Sequence, residues 1–290
     1  MNFSDIKKKM VLGTAQFGQD YGIANLSGKP STREVFDILN MALDKGIRSF
    51  DTAPGYGSEI ILGEFIAANG LQDEVIVLTK TPSLEGVMDH DKFVRTCLES
   101  SLEKLGCPVD VLFLHNSTDS ELLLKNTKFF ENLLQDYPVR CLGTSVYDPE
   151  EVERLASCQF ELSFQFPLNV LDRRFEQVKM PMGKRYARSI FLQGLQVSED
   201  GLRPTAPEEL FNLQKAYHRK LANHHFCPID FAVSFVACND VVDFFLLGVD
   251  SAKQLKDILN LKLCEHNNID NFKKIQLNYA KKWIDPRLWN

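Results

Sequence analysis

The feature that most constrains this chain is an alternation. Eight short apolar runs are separated by longer segments with helical periodicity. The runs read "MVLGTAQ" from Met10, "IRSFDTA" from Ile47, "EVIVLTK" from Glu74, "VDVLFLH" from Val109, "VRCLGTS" from Val139, "FELSFQF" from Phe160, "ARSIFLQG" from Ala187 and "VVDFFLLGV" from Val241. Each is rich in β-branched or large apolar residues and none alternates strictly between apolar and polar. Strands buried on both faces have that composition.

Between the runs lie amphipathic patterns. Ser31 or Thr32 caps a helix reaching Lys45 and stopped by Gly46, with Val35, Ile38, Leu39, Ala42 and Leu43 on the helical period. Similar patterns cover residues 58–68, 91–105, 120–134, 149–156, 208–223 and 251–263. Residues 171–180 are less regular and read as a short helix or a loop. Eight such repeats predict an α/β fold, a closed (β/α)8 TIM barrel. A doubly wound sheet would more often have about five or six strands and a Gly-rich first turn. No linker or low-complexity segment interrupts the chain, so residues 1–290 read as one domain. The tail, 271–290, with Trp283 and Trp289, is expected to pack a last helix on the barrel exterior.

Composition removes several classes of function. Lys and Arg total 33 and Asp and Glu 39, a net charge of −6, which argues against nucleic acid as a partner. The most apolar stretch, 231–249, is broken by Asp240 and Asp243 and falls short of the ~18 uncharged residues of a membrane span. Lys7, Lys8 and Lys9 are followed by neither an apolar signal core nor a cleavage site, so a cytoplasmic location is expected. Seven scattered cysteines fit free thiols in a reducing compartment. The sequon at Asn116 is then a chance match.

Familiar motifs are missing. There is no G-x-G-x-x-G and no G-x-S-x-G. Residues 22–29 resemble a phosphate loop only loosely, with Pro30 where Ser or Thr would bind magnesium. His224, His225 and Cys227 are close together, but no second ligand pair has zinc spacing, so no metal site is expected. His90, His218 and His266 sit in charged surroundings and read as surface residues.

Barrel enzymes place reactive groups at the C-terminal ends of their strands. Here the second run ends in Asp51, followed by Tyr56; the third ends in Lys80 and the fourth in His115. Taken singly, each is an ordinary strand-end or loop residue. Together they form a candidate site. A tyrosine, with an ordinary pKa of ~10, is a proton donor that a neighbouring ammonium would make more acidic. An Asp would fix the Lys, and a His would donate a hydrogen bond to a substrate oxygen. Such a group suits reduction of an aldehyde or ketone, given a hydride source that no side chain provides.

The segment "GIRSFDTAPGYGSEIILG", 46–63, with "VLTK" and "LFLH" in order, resembles the signature of the aldo-keto reductase superfamily, and the likeness covers nearly the whole chain. It looks closest to short bacterial members that begin directly with "VLGTAQFGQDYGI". The resemblance implies a barrel that binds a nicotinamide cofactor without a Rossmann domain. It implies a tetrad of Asp51, Tyr56 as acid, Lys80 and His115. Thr14 corresponds to a position near the nicotinamide ribose, and Ser145 and Gln165 to carboxamide contacts, although the Asn usual after the serine is Val146. Arg188 stands where an aromatic usually stacks on the nicotinamide; it either stacks there or points away in a salt bridge. Leu192, Gln193 and Gly194 match the loop along the diphosphate.

At the adenosine end, Gly248 and Gln254 occupy positions matched to cations that clamp a 2′-phosphate, Asp250 adds a negative charge, and Ile258 replaces an Asn. Gly248 and the helix start at Ser251 still offer backbone N–H groups to a phosphate. The resemblance puts NADPH first as cofactor and leaves NADH a serious rival. The substrate expected is a small-molecule carbonyl, with a sugar or sugar nucleotide the first choice. Two other readings stay open: a regulatory barrel that binds cofactor without turnover, and an isomerase or lyase using Lys80 and His115. Oligomeric state is not legible.

Overall fold

The structure is a computed structural model that describes residues 3–262, 264, 277 and 279–289. Eight parallel strands close into a barrel in sequence order. They are β1 (Met10–Gly13), β2 (Ser49–Asp51), β3 (Ile76–Thr81), β4 (Val109–Leu114), β5 (Val139–Ser145), β6 (Ser163–Pro167), β7 (Arg185–Arg188) and β8 (Phe244–Gly248). The barrel closes where β1 pairs with β8, Met10 beside Phe245 and Gly13 beside Gly248.

Helices form where the sequence supplies caps and an apolar stripe. Ser31 caps Thr32–Asp44 with a reciprocal Ser31–Glu34 capping box. Glu59–Asn69, His90–Leu105 and Pro149–Arg154 follow β2, β3 and β5, and Glu208–Asn223 follows β7. The stretch expected as one helix over 120–134 is broken at Asn126 into a 3₁₀ turn, Ser117–Glu121, and the helices Leu122–Lys125 and Thr127–Asp136. The helix expected over 251–263 is Ala252–Leu259, shorter than expected.

Between β6 and β7 the described residues form a loop, one of the two readings of residues 171–180. Elsewhere the structure departs from expectation. The seventh strand begins two residues earlier than the apolar run and stops at Arg188. Ser189, Leu192 and Gln193 then take left-handed φ values of 57°, 48° and 52°, which no strand accommodates. Ile190 and Leu192 are buried because this turn packs on the core. The run from 231 holds a helix, Pro228–Ala237, ahead of β8. Every residue from Phe231 to Ala237 is buried, so it has no polar face to betray its period. In the tail, residues 279–289 form two 3₁₀ turns, Lys281–Ile284 and Pro286–Leu288, instead of an exterior helix, with Trp283 buried. The earlier part of that expected helix lies outside the described residues.

Side-chain alternation along the strands positions the site. Val11, Leu78, Val111, Phe113 and Tyr186 form a core of their own inside the barrel, with Phe244 and Leu246 packed on it. Phe113 meets Tyr186 edge-on at 5.8 Å, and Tyr186 stacks on Phe244 at 5.1 Å. Two residues further along each strand the same face continues. Leu78 leads to Lys80, Phe113 to His115, Tyr186 to Arg188 and Leu246 to Gly248. The opposite parity, such as Leu112 and Leu114, packs in the larger outer core. The interior plug is apolar below and polar at the mouth.

Candidate functional site

Asp51 ends β2, Lys80 lies one residue from the end of β3, and His115 directly follows β4. The Lys80 ammonium donates to Asp51 Oδ1 at 2.7 Å and to the Thr52 carbonyl at 2.9 Å. Both side chains are shut from solvent, 1% and 3% exposed, so the charges are held by each other. Lys80 Nζ stands 4.9 Å from the centre of the Tyr56 ring. Tyr56 and His115 meet edge-on, with ring centres 6.2 Å apart.

Tyr56 rides on a 3₁₀ turn, Pro54–Tyr56, ended by Gly57 at a left-handed φ of 72°. Gly18 backs the turn so closely that a Cβ there would fall 1.9 Å from the Tyr56 carbonyl oxygen. The Ser58 hydroxyl bonds with those of Thr14 at 2.8 Å and Thr52 at 3.0 Å. The turn is therefore fixed from both sides, and Tyr56 with it.

Burial raises the Tyr56 phenol well above its ordinary range, and the Asp51 carboxylate adds to the effect; Arg188 opposes it. This differs from the expectation that Lys80 would make the phenol more acidic. Lys80 is already bound to Asp51, so burial prevails and Tyr56 stays a protonated donor. Burial likewise pulls the Lys80 ammonium down, while Asp51 draws it back up. His115 is pushed down to about 4 by burial and by the charges of Lys80 and Arg188, so it is neutral at physiological pH. The group can present a phenol proton and an imidazole N–H to an oxygen at the mouth.

These residues open onto a cleft of about 1240 Å³. Asp51, Tyr56 and His115 line it, as do Thr14, Ser145, Gln165, Arg188, Gln193, Gly194, Gly248, Ser251 and Gln254. Lys80 lies beneath it, and Leu192 is fully buried in the core. Thr14 is already engaged, donating to the Asp51 carbonyl at 3.0 Å. Gln165 donates to Asp51 Oδ2 at 2.8 Å, which leaves its carbonyl oxygen and a second N–H without a partner among the described residues. Gly248 is packed so close to Gln16 that a Cβ would come within 2.5 Å of the amide nitrogen. Ser251 caps the following helix through the Gln254 N–H, and Gln254 Oε1 accepts from the Asp250 N–H at 3.1 Å. Burial raises the Asp250 carboxyl above its ordinary value. Nearby Lys253 is tied to Asp257 at 2.9 Å.

Among the cleft residues that escaped the sequence reading are Tyr21, Tyr147 and Arg287. Tyr147 lies two residues beyond the strand-end Ser145, a position that could have been found. Arg287 comes from the tail and carried no local signal. Its guanidinium lies 3.4 Å from the centre of the Tyr147 ring and that of Arg188 lies 3.8 Å from the same centre. Among the described residues no cluster of three His, Cys, Asp or Glu could hold a metal ion. No helix among them is long and apolar enough to cross a membrane. The seven cysteines are free.

Comparison with known proteins agrees with the barrel fold. The profile of the Aldo/keto reductase family matches residues 9–276. The chain is 35% identical over 134 residues to the chloroplastic pyridoxal reductase of Arabidopsis thaliana, covering 40% of this chain and 36% of that one. It is 26% identical over 176 residues to the aldo-keto reductase YhdN of Bacillus subtilis (strain 168), covering 58% and 53%. The chain thus spans between about a third and about a half of the length of these curated relatives. Among solved structures, the aldo-keto reductase AKR11C1 of Bacillus halodurans superposes with a TM-score of 0.74 at 18% identity, covering 96% of this chain and 95% of that one. The glycerol dehydrogenase AKR11B4 of Gluconobacter oxydans gives 0.66 at 23% identity, covering 94% and 95%. At those identities the likeness is one of fold.

Proposed function

The chain belongs to the aldo/keto reductase family, and from that premise we propose that it reduces an aldehyde or ketone to an alcohol with a nicotinamide cofactor. The observation that carries the reading is the buried Lys80–Asp51 pair beneath Tyr56, with neutral His115 edge-on beside it. The residues present fit such a cofactor. The cleft is long enough to run from Tyr56 to Gly248, and its lining includes a Ser145 hydroxyl without a hydrogen-bond partner among the described residues. Ser145 and the free amide edge of Gln165 would hold a carboxamide. Gln193 and Gly194 would lie along a diphosphate. Gly248 and the N–H groups around Ser251 would meet the adenosine end.

The cofactor, when bound, supplies the hydride that no side chain can. Tyr56 donates the proton to the carbonyl oxygen, which its retained phenol proton equips it to do. His115 donates an N–H to the same oxygen as negative charge develops there. Lys80 and Asp51 fix the electrostatics beneath Tyr56. NADPH is our first choice of cofactor and NADH its rival. Asp250, without an ion-pair partner among the described residues, favours NADH by opposing a 2′-phosphate. The open cleft suits a bulky, polar carbonyl compound such as a sugar or sugar nucleotide. The free thiols fit a reducing compartment, the cytoplasm.

The test is a fluorescence titration of the purified chain with NADPH and with NADH, followed by turnover of a panel of aldehydes and ketones. Binding with turnover is expected. Binding without turnover would favour a regulatory barrel, and binding of neither would remove the redox reading.

A further inference from the structure

Arg188 is an unusual cation. The parity of β7 directs it inward, two residues beyond Tyr186, and it lines the cleft. Among the described residues no carboxylate lies within ion-pair distance of it, whereas Arg48, Arg95, Arg140, Arg173, Arg174, Arg185, Arg203 and Arg287 each have one. The other arginines without such a partner, Arg33, Arg154 and Arg219, are exposed, while Arg188 is half-buried.

The side chain is nevertheless held in place. One amino group donates to the Val146 carbonyl at 3.1 Å and the other to Ser189 Oγ at 3.3 Å. The guanidinium lies 3.8 Å from the centre of the Tyr147 ring. A guanidinium has five N–H donors, so three remain without a partner in these contacts. Its charge reaches the reacting groups, opposing protonation of His115 and favouring ionisation of Tyr56. A half-buried cation that no acid neutralises is costly to keep, and fixed spare donors beside a reactive group are suited to an anion.

We propose that Arg188, positioned by Tyr147, binds an anionic group on the substrate, a carboxylate or a phosphate, while the substrate's carbonyl faces Tyr56 and His115. This rests on the carbonyl-reductase reading above. Arg188 is then a specificity-determining residue, and the residue that stacks on the nicotinamide is another. Asp250 lies two residues beyond Gly248, after the neighbouring strand β8, and also lines the cleft. Tyr147 is shared with Arg287, whose own charge is matched by Asp285 at 2.6 Å. Arg287 thereby helps hold the ring without competing for the anion.

Two matched pairs test this, each with an anionic aldehyde and its neutral counterpart. For carboxylate the pair is 4-carboxybenzaldehyde and methyl 4-formylbenzoate. For phosphate it is D-glyceraldehyde 3-phosphate and D-glyceraldehyde. The protein is expected to prefer the anionic member of at least one pair in kcat/KM, and the pair that shows the preference identifies the anion. In Arg188→Met that ratio should fall by about tenfold or more, the usual scale for losing a charge-assisted hydrogen bond, and Arg188→Lys should restore part of it. Affinity for NADPH and NADH, read by fluorescence, should stay within about twofold in both variants. An unchanged ratio in Arg188→Met overturns the proposal. So does a cofactor affinity that falls with the ratio, because Arg188 would then be holding the nicotinamide. If cofactor binds but no aldehyde turns over, the reductase reading fails; thermal stabilisation by benzoate or inorganic phosphate in the unmodified protein and not in Arg188→Met would still establish the anion site, and its absence would remove it.

Discussion

Gln165, on β6, reaches Asp51, on the opposite side of the barrel at the end of β2, and donates a hydrogen bond of 2.8 Å to Oδ2. The other carboxylate oxygen is taken by Lys80. Asp51 is therefore saturated from two sides, in a place where an unsatisfied carboxylate would be expensive. Gln165→Glu would set a second carboxylate against the first, and both cannot ionise at that separation. The variant should lose about 1–3 kcal/mol of stability at pH 7, and recover part of it as the pH is lowered and one carboxyl is protonated. Urea midpoints at pH 7 and pH 5 check this; a midpoint that drops further at pH 5 than that of the unmodified protein would contradict it.

Tyr56→Phe removes the proposed proton donor and keeps the ring that packs against His115. Turnover should drop by ~10²–10⁴, with little change in cofactor affinity. Stopped-flow hydride transfer on the variant is the measurement. A rate equal to that of the unmodified protein would assign the proton to another group.

His115 gives a pH signature with a definite sign. Its pKa is about 4 in the fold, against an ordinary value of ~6.5 in the unfolded chain. Between those values the unfolded state binds more protons, so the contribution of His115 to stability is present above about 6.5 and is lost as pH falls to about 4. His115→Gln should flatten the stability curve in that window. The same shift puts any activity loss from His115 protonation near pH 4. Urea unfolding at intervals from pH 7 to 4.5 decides it; parallel curves for the two proteins would exclude His115 as the cause.

Asp250→Arg should reverse the charge at the adenosine end. The ratio of NADPH to NADH affinity is expected to rise about tenfold or more. Fluorescence titrations with both cofactors measure it, and an unchanged ratio would place the 2′-position away from Asp250.

Much of this was legible because strand chemistry is local. Asp51, Lys80 and His115 each end an apolar run, and the barrel's parity turns that sequence position into a direction in space. What failed did so for identifiable reasons. The run "ARSIFLQG" looked like strand because Ile190, Phe191 and Leu192 are apolar, yet they are buried by a left-handed turn, and backbone handedness leaves little trace in hydropathy. The helix Pro228–Ala237 was invisible because it is buried on all sides. The expectation for Tyr56 weighed the lysine charge without the burial of the phenol, which has the larger effect. The contact of Arg287 with Tyr147 joins segments far apart in the chain, and no local pattern encodes it.

The seam between β1 and β8 bears on the order in which the molecule becomes competent. Asp51, Lys80 and His115 come from consecutive strands, β2 to β4, that can pair early and locally. Gly248 meets Gly13 only when the two ends of the sheet find each other, the slowest kind of contact for a chain to make. The first half of the barrel carries the reactive quartet, and the closing strand β8 carries Gly248 in the wall of the cleft. Ligand affinity is in that sense a report on whether the circle has been joined.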